Sequence, residues 1–95
     1  MDHNKLLQAR KWVRDELERC ISFWLEHGMD KTYGGVSTCL DRSGQIYSTD
    51  KSVWMQGRCA WTFSYLCHVY GIKQEWLETA RSCLDFLEKY CIELL

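Results

Sequence analysis

No proline occurs in the chain. Nothing in the sequence therefore forces a kink or an abrupt stop on a helix, and no proline-rich linker divides the chain. Long apolar runs are also missing, and none approaches the roughly 20 residues of a membrane-spanning helix. No block of basic charge exists either. Lys and Arg number 12 against 13 Asp and Glu, for a net charge of −1. Nothing here attracts a phosphate backbone, so nucleic acid is not an expected partner. The stretch from Met1 to Arg10 is polar and mixed in charge. It lacks the basic start and apolar core of a secretory signal, and a cytoplasmic setting is expected.

Six cysteines are present: Cys20, Cys39, Cys59, Cys67, Cys83 and Cys91. No two of them form a C-x-x-C pair, so no zinc site is expected. Without a secretory signal a disulfide framework is not expected either. The plain reading is small buried hydrophobes in a reducing compartment. Cys67 and His68 are neighbours on a helix and point in different directions, so adjacency does not make them a catalytic pair.

What is present is a soluble-type balance: 46% hydrophobic and 26% charged residues over 95 positions. That is too apolar for disorder and enough for one small core. Five Trp, five Tyr and three Phe are many for so short a chain. They call for extensive burial or for a sugar ring to stack on.

Hydrophobic spacing predicts three helices. The first runs from about Asn4 to Leu25, with Leu6, Val13, Leu17, Cys20, Ile21 and Trp24 on one stripe. Gly28 lies just past its end. The second begins near Asp50 or Ser52, either of which could cap it, and ends at Gly71. Its apolar residues, among them Val53, Trp54, Ala60, Trp61, Phe63, Leu66 and Tyr70, occupy nearly every side, which predicts burial all round. The third spans about Lys73 to Leu94. Its apolar stripe runs from Trp76 to Leu94, and its wet face carries Glu78 with Arg81 and Asp85 with Lys89 at pairing distance. Between the first two helices, Val36 to Leu40 and Gln45 to Ser48 read as short strands around the turn Asp41-Arg42-Ser43-Gly44, a small β-hairpin.

Two amphipathic helices cannot enclose a third that is apolar all round, so its remaining face needs more chain or another chain. The sequence also stops on an apolar helix end, Cys91-Ile92-Glu93-Leu94-Leu95. Residues 1–95 are accordingly expected to be the N-terminal portion of a larger domain, with a missing C-terminal segment or self-association covering the open side.

An ordered series of motifs runs from Phe23 to Ser64: Phe23-Trp24, His27-Gly28-x-Asp30, Tyr33-Gly34-Gly35, Leu40-Asp41-Arg42-x-Gly44, Asp50-Lys51-x-x-Trp54-Met55-Gln56-Gly57-Arg58 and Trp61-x-Phe63-Ser64. This series resembles the N-acylglucosamine 2-epimerase family, which includes cellobiose 2-epimerases and related aldose–ketose isomerases. The resemblance implies an all-α fold, with these helices as the first three of an (α/α)6 barrel, the second inner and its neighbours outer. It implies a small sugar as substrate, epimerised by removal and return of a proton at the carbon next to the carbonyl. It also implies that two histidines on later inner helices move the protons.

Arg58 matches the family arginine that holds sugar oxygens near the reacting carbon. From the residues alone, a charge on an apolar helix must find a partner, either a carboxylate or a polar ligand. A guanidinium fork suits two neighbouring oxygens. Trp54, four residues earlier, shares its side of the helix and resembles a family position lining the sugar pocket; core packing is the alternative. Tyr33 and Trp61 are further pocket candidates whose plainer reading is packing. Asp30, Asp41 and Asp50 read as turn or cap residues. His3, His27 and His68 match no catalytic family histidine, so this chain alone is expected to be inactive. No cofactor or metal is implied. The competing expectation is a helical interaction module, or a complementing subunit, that docks through the apolar face of the second helix.

Overall fold

The computed structural model describes residues 2–91. Helix α1 spans His3–Phe23. The Asp2 carboxylate starts it by accepting the Lys5 backbone N–H at 2.9 Å. One wider, π-helical turn, Trp24–Gly28, closes it. Helix α2 spans Val53–Tyr70 and ends at Gly71. Of the two expected caps, Ser52 does the capping, its hydroxyl accepting from the Met55 N–H at 3.3 Å. Helix α3 spans Gln74–Phe86 and widens into a π-helical turn at Leu87–Cys91. The expected end of this helix at Leu94 lies outside the described residues.

Three residues, Gly71 to Lys73, join α2 to α3, so the two pack as a helical hairpin. Their register follows from the core. Phe63, Leu66 and Cys67 near the end of α2 meet Trp76 and Ala80 near the start of α3. Ala60, earlier on α2, meets Cys83, later on α3. Helix α1 and its closing turn add the partly buried Leu17, Ile21 and Leu25 to this core. The first half of α1 projects away, leaving Leu6, Trp12 and Val13 exposed, and the expected apolar stripe is only partly buried over its second half, where Leu17 and Ile21 pack and Cys20 stays exposed. The molecule is therefore elongated, 57 × 29 × 22 Å. Its radius of gyration of 15.7 Å exceeds the roughly 12 Å of a compact chain this long.

The segment between α1 and α2 is ordered by turns and by contacts to the hairpin. Among the described residues it holds two isolated antiparallel bridges, Met29 with Val36 and Leu40 with Ile46, and no strand. The expected β-hairpin is thus reduced to its turn. Asp41 explains why: its carboxylate accepts the N–H groups of Ser43 and Gln45, each at 2.9 Å. The turn is satisfied locally, and the arms meet only at the Leu40–Ile46 bridge, while Val36 is buried against α2 and α3 instead of a partner strand. Of the helix-face pairs expected on α3, neither forms: Arg81 instead approaches Asp85 at 3.9 Å. Only Cys67 and Cys83 of the six cysteines are buried; Cys20 and Cys91 are exposed and all six are free thiols.

Candidate functional site

Helix α2 is two-faced. Gln56, Ala60, Phe63 and Cys67 recur at helical spacing and are buried against α3 and the connecting segment. Trp54, Arg58, Trp61, Tyr65 and His68 recur at the same spacing on the opposite side, and all are exposed. Trp54 is 70% exposed, Trp61 52% and Tyr65 51%. α2 is not buried all round: the side that carries Arg58 is open to water, the uncovered face expected where only two helices flank it. α3 and the connecting segment cover one side of α2, and no element among the described residues covers the other.

The open face is organised along its length. The Arg58 guanidinium carbon lies 4.7 Å from the centre of the Trp61 ring. Trp61 stacks on Tyr65, with centroids 5.0 Å apart and planes within 7°. Tyr65 meets His68 at 6.2 Å in a tilted arrangement. No carboxylate pairs with Arg58 among the described residues. The structural ion pair that was the alternative for this residue is therefore not formed here, and its N–H donors are free for a ligand. Trp54 stands one turn earlier on the same stripe.

Tyr33 lies elsewhere. It is exposed and lines a shallow groove over α3 with Arg81, Asp85 and Phe86. The structure thus brings Trp54, Arg58 and Trp61 onto one face and leaves Tyr33 apart from them. Among the described residues no three His, Cys, Asp or Glu side chains are grouped to hold a metal ion.

Behind the open face, three contacts order the connecting segment, one to α2, one to α3 and one within the segment itself. Gln56 is fully buried. Its Oε1 accepts the Val36 N–H at 2.8 Å, and its Nε2 donates to the Val36 carbonyl at 2.7 Å. The Gly35 N–H donates to Ser82 Oγ on α3 at 2.9 Å. Lys51 Nζ donates to Asp30 Oδ2 at 2.6 Å and to the Gly34 carbonyl at 2.9 Å, and sits 4.5 Å above the centre of the Phe86 ring. Burial acts to raise the Asp30 carboxyl. The hydrogen bond from Lys51 and the N–H groups of Tyr33 and Thr32 outweigh it and hold the group below the usual carboxylate range. Asp30 is thus a turn residue, as expected, and an ion-pair partner besides. Gln56 and Lys51 carried no expected role, although both stand inside the recognised motif. The signal for Gln56 was a polar residue one turn before Ala60, on the side that packs.

Residues 34–93 match the family model described as N-acylglucosamine 2-epimerase (GlcNAc 2-epimerase). The chain belongs to this family. It is similar to the N-acylglucosamine 2-epimerase of Mus musculus, at 41% identity over 86 residues, covering 85% of this chain and 20% of that protein. The Homo sapiens N-acylglucosamine 2-epimerase is 38% identical over 90 residues, covering 88% of this chain and 20% of that protein. The Bos taurus protein of the same name is 40% identical over 86 residues, covering 85% and 20%. The chain therefore spans about a fifth of the length of these curated relatives. Within the epimerase match fall all of α2 and α3, and with them Trp54, Arg58 and Trp61; Tyr33 precedes it by one residue.

Proposed function

We propose that this chain forms the opening part of a sugar 2-epimerase acting on an N-acylated hexosamine, with α2 an inner helix of an (α/α)6 barrel and α1 and α3 outer. The observation that carries the reading is Arg58, unpaired with any described carboxylate, on the open face of α2 beside Trp54. Epimerisation removes the proton on the carbon next to the carbonyl and leaves an enediolate-type anion. Return of a proton to the opposite face completes it. Arg58 donates N–H bonds to the oxygens on which that negative charge develops, where a well-placed donor contributes about 3 kcal/mol. Its fork spans two neighbouring oxygens, which a lysine cannot do. Trp54 offers an apolar surface to the C–H face of the sugar.

Proton transfer falls to groups outside this chain. His3 stands at the free end of α1, His27 in the turn after it, and His68 at the far end of α2. None is one of a pair flanking Arg58, so the 95 residues alone turn over no sugar. The reaction takes place in the cytoplasm and needs no metal or cofactor. A second reading is favoured by the open apolar face of α2. The chain then serves as a complementing subunit or helical interaction module, with that face docked on a separately encoded remainder or on a second copy.

The test is a graft. This chain replaces the matching fifth of the mouse enzyme, and interconversion of N-acetylglucosamine and its 2-epimer is measured with and without Arg58→Ala. Turnover that falls about 10²-fold or more in the variant supports the reading. Equal turnover in both sinks it. Separately, turnover by the 95-residue chain alone contradicts its dependence on the remainder.

A further inference from the structure

We infer that Trp61 and Tyr65 are positioning residues for Arg58, a stacked column that fixes the direction in which the guanidinium is presented; this rests on the reading of Arg58 given above. Arg58 lies three residues before Trp61 and Tyr65 four residues after it. Along a helix those offsets place them one turn to either side of the indole. The guanidinium packs on one side, 4.7 Å from the ring centre, and the Tyr65 ring on the other, at 5.0 Å and 7°. Both faces of Trp61 are therefore occupied within the helix. With a neighbour against each face, the indole offers a ligand mainly its edge, so Trp61 is assigned to holding Arg58. Trp54 has no such ring partner among the described residues and keeps a free face.

The column answers a physical problem. An arginine on an open helix face has several freely turning bonds, and stopping them costs entropy whenever a ligand binds. No carboxylate among the described residues holds it. A guanidinium placed over an indole is attracted by the negative face of the ring even at an exposed site. Aromatic stacking of Tyr65 in turn helps to hold the indole itself. The column thereby narrows the orientations open to Arg58. The benefit falls on the chemical step more than on binding, because small errors in the placement of a charge-stabilising donor cost rate steeply.

The test has two arms. In the 95-residue chain, the Arg58 Hε resonance is expected upfield of its random-coil position, because it lies over an aromatic ring. Trp61→Leu returns it to that position, Trp61→Phe keeps most of the shift, and Tyr65→Leu reduces it. In the grafted enzyme, Trp61→Leu and Tyr65→Leu are expected to lower kcat about 10-fold or more with KM changed less than about threefold. Trp61→Phe restores most of kcat. An Arg58 resonance unmoved by Trp61→Leu overturns the inference, and so does a Trp61→Leu graft with unaltered kcat. Should Arg58→Ala leave the graft fully active, the reading of Arg58 fails first and takes the inference with it. If Arg58→Ala is inactive while Trp61→Leu is fully active, only the column is refuted.

Discussion

The Gln56 side chain pairs with the Val36 backbone as a neighbouring β-strand would, donating to its carbonyl and accepting from its N–H. Both residues are essentially excluded from water. A helix side chain thus satisfies a backbone unit that has no sheet to join, and it fixes the connecting segment against α2. Replacing Gln56 by Leu preserves the apolar volume and strands a buried donor and a buried acceptor. The expected loss is about 2–6 kcal/mol, from about 1–3 for each unsatisfied group, read as a lower urea midpoint. Gln56→Glu accepts from the N–H but turns a second oxygen toward the Val36 carbonyl, so it must be protonated to fit. Its folded pKa then lies above the unfolded value of about 4.3. The variant gains stability as pH falls and loses it as pH rises through the folded value.

Asp30 and Lys51 give the wild-type chain a pH dependence of opposite sign. The Asp30 carboxyl is held below its ordinary range in the folded state. Its contribution is complete above the unfolded value of about 3.9 and disappears as pH falls through the lower folded value. Urea unfolding from about pH 7 to about pH 2 should show wild type losing stability relative to Asp30→Asn below about pH 4, the two curves drawing together toward the acid end. Near neutral pH the variant should be weaker by about 1–2 kcal/mol, since a partly exposed charged hydrogen bond contributes less than a fully buried one. Parallel curves across the whole range contradict the assignment.

Two glycines separate backbone need from spare space. Gly35 has φ +76°, and a Cβ there would stand 2.6 Å from Gln56 Oε1 and 3.0 Å from the Phe86 ring. Gly35→Ala meets both the left-handed penalty and a clash with the pair that clips the segment to α2. A loss of about 2–4 kcal/mol is expected. Gly57 sits inside α2, and a Cβ added to it would meet nothing within 4 Å. Gly57→Ala should stabilise by about 0.5–1 kcal/mol through helix propensity. Thermal melts of the two variants should move in opposite directions.

The helices were legible because 3.6-residue spacing is a local property, and Leu17, Ile21, Phe63, Leu66, Trp76 and Ala80 take their sides from it. The two-faced character of α2 was only half legible. An all-round apolar pattern does not say which side of a helix is covered, whereas the exposure of Arg58 and Trp61 records what surrounds it among the described residues. The Val36 and Gln45 runs had strand composition, yet they meet only at the single Leu40–Ile46 bridge, and at Val36 a buried glutamine takes the place of a neighbouring strand. Composition cannot reveal that substitution, because the pairing lies 20 residues away in sequence. The stacked column was hidden for a different reason: aromatic residues at i and i+4 are consistent equally with core packing and with an ordered exposed ladder.

Cys59 and Cys83 offer a final measurement, since they meet across the α2–α3 contact. Cys83 is fully buried, and its hydrogen bond with Cys59 together with burial pushes its thiol well above the ordinary range. Cys59 is half-buried, and the same hydrogen bond favours its thiolate against the opposing effect of burial. Alkylation by iodoacetamide proceeds through the thiolate. Exposed Cys20 and Cys91 should be modified early, Cys59 later, and Cys83 only on unfolding. Replacing Cys83 by Ala removes the donor that favours the Cys59 thiolate, so alkylation of Cys59 should slow. Cys83→Ser keeps a donor at that position and should restore the rate. Peptide mass spectrometry over the time course distinguishes these outcomes. Cys83 labelled in the native state as fast as Cys59 would contradict the packing of this contact, while a Cys59 rate equal in the Ala and Ser variants would contradict the hydrogen bond alone.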